Sequence, residues 1–215
     1  MVKYCIFMPT TLEVSEDCVL FKRKHLEGNI ERMKQYLNGL QSIVNFGYTN
    51  LILSDNSNYL RENRGKEMKK QMIDEKIQLI DDTPNEYGFQ NKGAGVLEHY
   101  IHAKKLLSGY DYIIHFEPRQ VLVNNNFIEN FIENPGNLFT YNKKGKHFNT
   151  GLFCLKTIDF YSFVENNTPQ SMVSKKSCLE DLLYSFIKSK EIKFRLLDKM
   201  GLTWYDTFAK KAITW

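Results

Sequence analysis

The sequence predicts an α/β fold: a mixed, mainly parallel sheet flanked by helices, built as a single domain over residues 1–215. Three observations carry that expectation. Short apolar runs of strand length alternate with a segment of helical period through the first half of the chain. The stretch Tyr110 to Leu122 runs from a buried strand straight into Glu117-Pro118-Arg119, delivering charge at a strand end. The second half mixes helical faces with strand-like runs around turns, which adds an antiparallel extension to the sheet.

Lys3 to Met8 reads as the first strand, ended by the turn-prone Pro9-Thr10-Thr11. From Ile30 the apolar positions Ile30, Met33, Leu37, Leu40 and Val44 recur every three or four residues, and Gly47 stands where a helix C-cap belongs. Asn50 to Ser57 is a second strand closing in the polar cluster Asp55-Asn56-Ser57. Strand, helix and strand in about fifty residues imply a parallel crossover. Arg61 to Lys76 is expected as an exposed helix and Lys76 to Ile80 as a third strand. Asn91-Lys92-Gly93 then opens a helix carried by Val96, Leu97, Tyr100, Ile101 and Leu107, which feeds the central strand.

Beyond that strand, Phe127, Ile128, Phe131 and Ile132 mark a short helix stopped by Pro135-Gly136. Asn137 to Tyr141 and Phe148 to Leu155 read as strands around the turn Lys143 to Lys146. Leu179, Leu182, Leu183, Phe186 and Ile187 form a helical face, and Ile192 to Leu197 a last strand.

Composition narrows the function. A net charge of +4 suits an anionic small-molecule partner or an acidic membrane surface, but not the dense basic stripe of a nucleic-acid binder. No run reaches the roughly 18 apolar residues of a membrane-spanning helix. The short apolar start, ended by Pro9, suits a strand better than a signal peptide, so a cytoplasmic protein is expected. Cys5, Cys18, Cys154 and Cys178 are scattered without a Cys-x-x-Cys spacing, which points to reduced, structural thiols.

Pro118 cannot donate to a sheet ladder, so the central strand is expected to stop there with Glu117 and Arg119 at its mouth. Three other motifs surround it in sequence order. Asp55-Asn56-Ser57 ends the second strand, Phe148-Asn149-Thr150-Gly151 precedes an apolar run, and Ser177-Cys178-Leu179-Glu180-Asp181 opens the last strong helix. Ser177 followed by Glu180 is also a capping-box signature, so Glu180 stands as either a helix cap or a site residue.

Taken in order, these motifs resemble the nucleotide-sugar-dependent glycosyltransferases of the GT-A fold, of the kind that builds bacterial surface glycans, from the first strand through Asp181. The resemblance implies a Rossmann-like nucleotide-binding half over about residues 1–122 and an acceptor-binding half over about 123–215. It implies a nucleotide-sugar donor lying near Pro9, Thr10, Thr11, Asp55, Asn91, Lys92, Gly93, Glu117 and Arg119. Asp55 would bond the base, and Asn91-Lys92-Gly93 would meet the diphosphate at a helix N-terminus. Asn149, Thr150 and Gly151 would line the acceptor, a saccharide or lipid-linked saccharide.

The sequence departs from the family at one place. Where those enzymes carry Asp-x-Asp to hold a divalent cation, this chain has Glu117-Pro118-Arg119. An arginine can neutralise a diphosphate directly, so the expectation is metal-independent transfer, with a Mn or Mg ion held by Glu117 as the alternative. Asp181 is expected as the catalytic base of an inverting transfer, with Glu180 beside it and Arg119 stabilising the leaving diphosphate; a retaining transfer stays open.

Three other classes compete. A nucleotidyltransferase usually needs a glycine-rich loop after the first strand, and Met8-Pro9-Thr10-Thr11 has none. A metalloenzyme would use His99 and His102 on one helix with His115. A non-catalytic module would bind a nucleotide or a partner protein without turnover. Lys143-Lys144, Lys175-Lys176 and Lys210-Lys211 offer a peripheral contact with the inner face of a membrane, and Trp204, Tyr205 and Trp215 an aromatic platform.

Overall fold

A computed structural model describes residues 2–12, 14, 29–57, 77–80, 83–142, 147–206 and 211–214. The helix expected over Arg61 to Lys76, the turn Lys143 to Lys146, Lys210 and Trp215 lie outside the described residues, and of Trp204 and Tyr205 only the backbone is described.

Strands β1 (Tyr4–Thr10), β2 (Leu51–Asp55), β3 (Ile77–Ile80), β4 (Tyr112–Phe116), β6 (Leu138–Thr140), β7 (Leu152–Lys156) and β8 (Arg195–Leu197) form one sheet in the order β3-β2-β1-β4-β7-β6-β8. β1, β2, β3 and β4 are parallel, β7 runs against both β4 and β6, and β6 and β8 are parallel. A smaller antiparallel sheet pairs β5 (Val121–Leu122) with β9 (Leu202–Asp206) and β9 with β10 (Lys211–Thr214). The sequence reading missed this second sheet, because β5 is two residues long and follows the Glu117 turn at once.

The helices are α1 (Asn29–Asn45), α2 (Lys92–Leu107), α3 (Asn126–Glu133), α4 (Thr157–Glu165), α5 (Pro169–Lys175) and α6 (Leu179–Ser189). Side chains alternate along a strand, so one sheet builds two cores. Ile6, Met8, Ile114 and Phe116 pack with Leu40 and Ile43 of α1 and Phe127 and Phe131 of α3. Cys5, Phe7, Ile113 and Phe153 pack on the opposite face with Leu97 and Tyr100 of α2, Phe160 and Phe163 of α4, and Leu183 and Phe186 of α6. Burial on both faces is why these strands read as continuous apolar runs.

Gly47, at φ +82°, closes α1 in the left-handed conformation its position demanded. Two strands are shorter than expected. β7 starts only at Leu152, with Phe148 joined to Tyr141 by an isolated bridge, and β8 starts at Arg195. Asn149-Thr150-Gly151 is therefore the turn that enters β7, not part of a strand. Helices α4 and α5 were not foreseen; α5 is announced by Thr168, whose hydroxyl caps Ser171 N, and by Pro169 in its first turn. Cys5 and Cys154 are buried free thiols, and Cys178 is a free thiol at the surface. No helix among the described residues is long and apolar enough to cross a membrane.

Candidate active site

In open parallel sheets chemistry gathers at the point where the strand order reverses, which here is between β1 and β4. β4 ends at Phe116 and the chain turns at once: Glu117 N donates to Gly151 O at 2.8 Å, and Gln120 N to Glu117 O at 3.0 Å. α1 clamps this turn from one side. A Cβ on Gly39 would lie 1.9 Å from Pro118 O and 2.5 Å from Gln120 O, so only glycine allows the helix this close. Leu122 N donates to Ser42 Oγ at 2.9 Å, fixing the turn's exit.

Within the turn, Arg119 Nη2 donates to Glu117 Oε1 at 2.9 Å and Gln120 Nε2 donates to Glu117 Oε2 at 3.1 Å. Both carboxylate oxygens are engaged by residues of their own turn. The Glu117 and Arg119 side chains are 33% and 16% exposed, at the rim of the core. Burial pushes the Glu117 carboxyl up, but Arg119, then Lys92 and His115, outweigh it, and the group sits below the usual carboxylate range. Gln120 is a site residue that sequence reasoning missed. It is buried, and a Cβ on Gly151 would lie 2.4–2.8 Å from its amide, so Gly151 makes room for a side chain rather than for a ligand alone.

The turn before β7 faces the first turn of α6. Thr150 Oγ1 donates to Glu180 Oε1 at 2.9 Å, and His147 Nδ1 lies 2.5 Å from Asp181 Oδ1. The capping-box alternative fails: the N-cap of α6 is Cys178, without a side-chain cap bond, and Glu180 reaches Thr150. Of the two carboxylates, Glu180 is the inner one and Asp181, 51% exposed, the outer. The Cys178 thiol is pushed up to about 12 by desolvation and by its hydrogen bond to Asp181, which makes it a poor nucleophile. Asn149 braces the hairpin, with Nδ2 donating to Thr140 Oγ1 at 3.1 Å and to Tyr141 O at 2.9 Å.

The adjacent residues Thr150 and Gly151 bring the two acidic centres together, and Tyr100 lies near them. Its buried hydroxyl, 2.8 Å from His115 Nδ1, is raised well above its usual pKa by burial and then by the charges of Glu180 and Glu117.

The α2 motif also has a structural part. Asn91 Oδ1 caps Ala94 N at 3.1 Å, while Asn91 Nδ2 donates to Met172 O at 3.3 Å and to Ser177 O at 2.9 Å. A Cβ on Gly93 would meet Met172 Cε at 2.8 Å and Leu179 N at 3.1 Å. Both residues thus seat the start of α6 against α2, and Lys92 is exposed on the same turn. Glu98, also missed, accepts from the backbone N–H groups of Glu86, Tyr87 and Gly88 at 2.7–3.2 Å and holds the loop before α2.

Asp55 is fully buried, and its Oδ1 accepts from Thr10 Oγ1 at 3.2 Å, Leu12 N at 3.2 Å and Ser57 Oγ at 2.8 Å. In this arrangement it organises the exits of β1 and β2. Pro9 and Thr10 are buried beside it, and Thr11 donates to Asn56 Oδ1 at 2.6 Å. The histidine alternative finds no common centre. His99 is buried with Nδ1 2.7 Å from Ser54 Oγ and is lowered to about 3, mainly by desolvation. His115 is lowered to about 4, again mainly by desolvation, whereas His102 is exposed. No group of three His, Cys, Asp or Glu able to hold a metal occurs among the described residues.

No protein-family model and no curated protein matches the sequence. Solved structures do match the fold. A cytidylyltransferase from Leptospira borgpetersenii aligns over 93% of this chain and 77% of its own, with a TM-score of 0.56 and 12% identity. A nucleoside-diphosphate-sugar pyrophosphorylase from Vibrio cholerae aligns over 92% and 93%, at 0.54 and 10%. A candidate nucleotide-diphospho-sugar transferase from Desulfovibrio desulfuricans aligns over 92% and 80%, at 0.53 and 11%. The chain thus has the mixed α/β fold of nucleotide-sugar transferases, the GT-A-like architecture the motifs implied.

Proposed function

We propose that this protein is a glycosyltransferase that moves a sugar from a nucleotide-diphosphate donor to a hydroxyl of a saccharide or lipid-linked saccharide. One observation carries the reading. The turn Asn149-Thr150-Gly151 joins two acidic centres, touching Glu117 through Gly151 O and Glu180 through Thr150 Oγ1. One centre carries a guanidinium for an anionic leaving group, and the other supplies carboxylates for an incoming hydroxyl.

The fold alone does not choose between glycosyl and nucleotidyl transfer, since its neighbours include proteins named for each. The exit of β1 favours glycosyl transfer. It runs Pro9-Thr10-Thr11-Leu12 without glycine, and its groups are committed to Asp55, Asn56 and Tyr36 instead of forming an open phosphate cradle.

In the proposed mechanism, Arg119 keeps its Nη2 bond to Glu117 and offers its remaining N–H groups to the donor diphosphate, with Lys92 adding positive charge, and together they stabilise the negative charge growing on the leaving group. The acceptor oxygen attacks the anomeric carbon from the side of α6 in a single inverting displacement. Metal independence is supported by the donor set at Glu117. Both its oxygens already accept N–H donors, and a fixed cation stands 2.9 Å away, where a divalent ion would want oxygen ligands. This set does not fit Mn or Mg, and no step is assigned to either. The first half of the chain, to about residue 122, would bind the donor and the remainder the acceptor.

The test is a thermal-shift screen against nucleoside mono- and diphosphates, with manganese and with chelator, followed by transfer assays with the nucleotide sugar that binds. A ligand at a hundred times its dissociation constant adds about 2.7 kcal/mol to stability. A shift that persists in chelator and is lost in Arg119→Ala is expected. Pyrophosphate release from a nucleoside triphosphate and a sugar phosphate would instead establish nucleotidyl transfer.

A further inference from the structure

We infer that His147, oriented by Asp181, is the group that takes the acceptor's proton. This rests on the transfer reading above and replaces the carboxylate of Asp181 as the direct base. His147 ends the β6–β7 hairpin loop, where Asn142 N donates to His147 O at 2.9 Å and pins its backbone. Its ring is on the same hairpin as Thr150, and the two residues engage consecutive carboxylates: Thr150 takes Glu180, His147 takes Asp181. The imidazole therefore borders the acceptor side of the site rather than an unrelated surface.

The 2.5 Å approach of Asp181 Oδ1 to Nδ1 biases the chemistry of the ring. An ionised carboxylate only accepts hydrogen bonds, so its position favours the hydrogen on Nδ1 and, in the neutral ring, the lone pair on Nε2. A histidine so held has a defined basic nitrogen and a counter-charge for the imidazolium it becomes. Asp181 does not serve directly, since its Oδ1 lies against His147. Glu180, the remaining acid, is engaged by Thr150 and fixes the position of the turn.

The step balances without a further reactant. The acceptor O–H proton passes to Nε2 as its oxygen bonds the anomeric carbon. The bond from that carbon to the diphosphate oxygen breaks, and its electron pair leaves with the diphosphate. The imidazolium is stabilised by Asp181 until it releases its proton to solvent. Asp181 is thus a positioning residue.

Two measurements test this, and they fail independently. Long-range 1H–15N spectra of ring-labelled full-length protein, with His147→Gln assigning the signal, should show His147 protonated at Nδ1, and Asp181→Ala should abolish that preference. With the nucleotide sugar that binds, His147→Gln should lower kcat by roughly a hundredfold or more while donor KM stays within about twofold. It should also remove the acid limb of the kcat profile, which a merely structural residue would leave in place. A His147 ring protonated at Nε2, or a His147→Gln variant within about threefold of wild-type kcat, would overturn the proposal and leave the transfer reading intact. A wild-type protein that binds and turns over no nucleotide sugar would remove the transfer reading itself, and the base role with it, whatever the tautomer.

Discussion

Asn91 Nδ2 donates to Ser177 O, 86 residues further along the chain, at 2.9 Å. The same side chain caps α2 through its other atom, so one amide ties the start of α2 to the start of α6. α6 carries Glu180 and Asp181, and the position of both depends on a residue that touches neither.

The Asn91–Gly93 seat should therefore control turnover more than donor binding. Asn91→Ala loses a helix cap, about 0.5–2 kcal/mol, and leaves the Ser177 carbonyl without its donor. Gly93→Ala drives a methyl to 3.1 Å from Leu179 N, a backbone atom that cannot rotate away. Both variants are expected to melt lower, with a fall in kcat that exceeds the change in donor KM. Steady-state kinetics beside thermal melts will show it, and equal losses in kcat and nucleotide affinity would contradict a role confined to α6.

Arg119→Ala should separate affinity from fold. It removes the proposed diphosphate contact and leaves Glu117 with Gln120 alone. Nucleotide affinity is expected to fall at least tenfold, about 1.4 kcal/mol, by calorimetry. Arg119→Lys should recover only part of it, because an ammonium lacks the planar fork that grips a phosphate through two bonds.

Much of the fold was legible because its signals are local. The period of Ile30 to Val44, the apolar runs of β1, β2 and β4, and Gly47 each state their own conformation. The site was legible mainly as a set of positions. That Asn91 and Gly93 brace α6, that Asp55 is buried under Thr10, Leu12 and Ser57, and that Glu180 reaches Thr150 all depend on partners between 30 and 86 residues away or across a strand boundary. Gln120 and His147 went unnoticed for the same reason. Gln120 matters through Glu117 and Gly151, and His147 through Asp181, and no short pattern announces either. Glu180 misled in the other direction, since its spacing from Ser177 satisfies a capping rule that the fold does not use.

Gly39 offers a test of the clamp on the β4 turn. A methyl there would lie 1.9 Å from Pro118 O, so either α1 or the turn must move. Gly39→Ala is expected to destabilise by about 1–3 kcal/mol or more, and to impair nucleotide binding by displacing Glu117 and Arg119. Gly47→Ala is the control. Its added methyl meets no atom within 4 Å, although its φ of +82° carries conformational strain, so it should destabilise without changing nucleotide affinity.

The buried histidines make stability depend on pH in a defined direction. His99 is lowered to about 3 and His115 to about 4, mainly by burial, while both titrate in the unfolded chain near the ordinary value of about 6.5. Below about pH 6.5 the unfolded state binds protons that the folded state refuses, so stability falls with pH until the folded rings themselves protonate at about 4 and 3. Each ring contributes a slope of up to about 1.4 kcal/mol per pH unit in that window. Glu117 works at lower pH. Its folded pKa is depressed, so its contribution is present above its unfolded value and disappears as pH falls through the folded one. Denaturant titrations between about pH 7 and pH 4 should therefore show stability declining well before the carboxylates titrate. His99→Gln, which keeps a polar atom near Ser54, should make that decline shallower by about one proton. An unchanged slope would mean that His99 accepts a proton in the folded protein and is not the neutral core residue its surroundings describe.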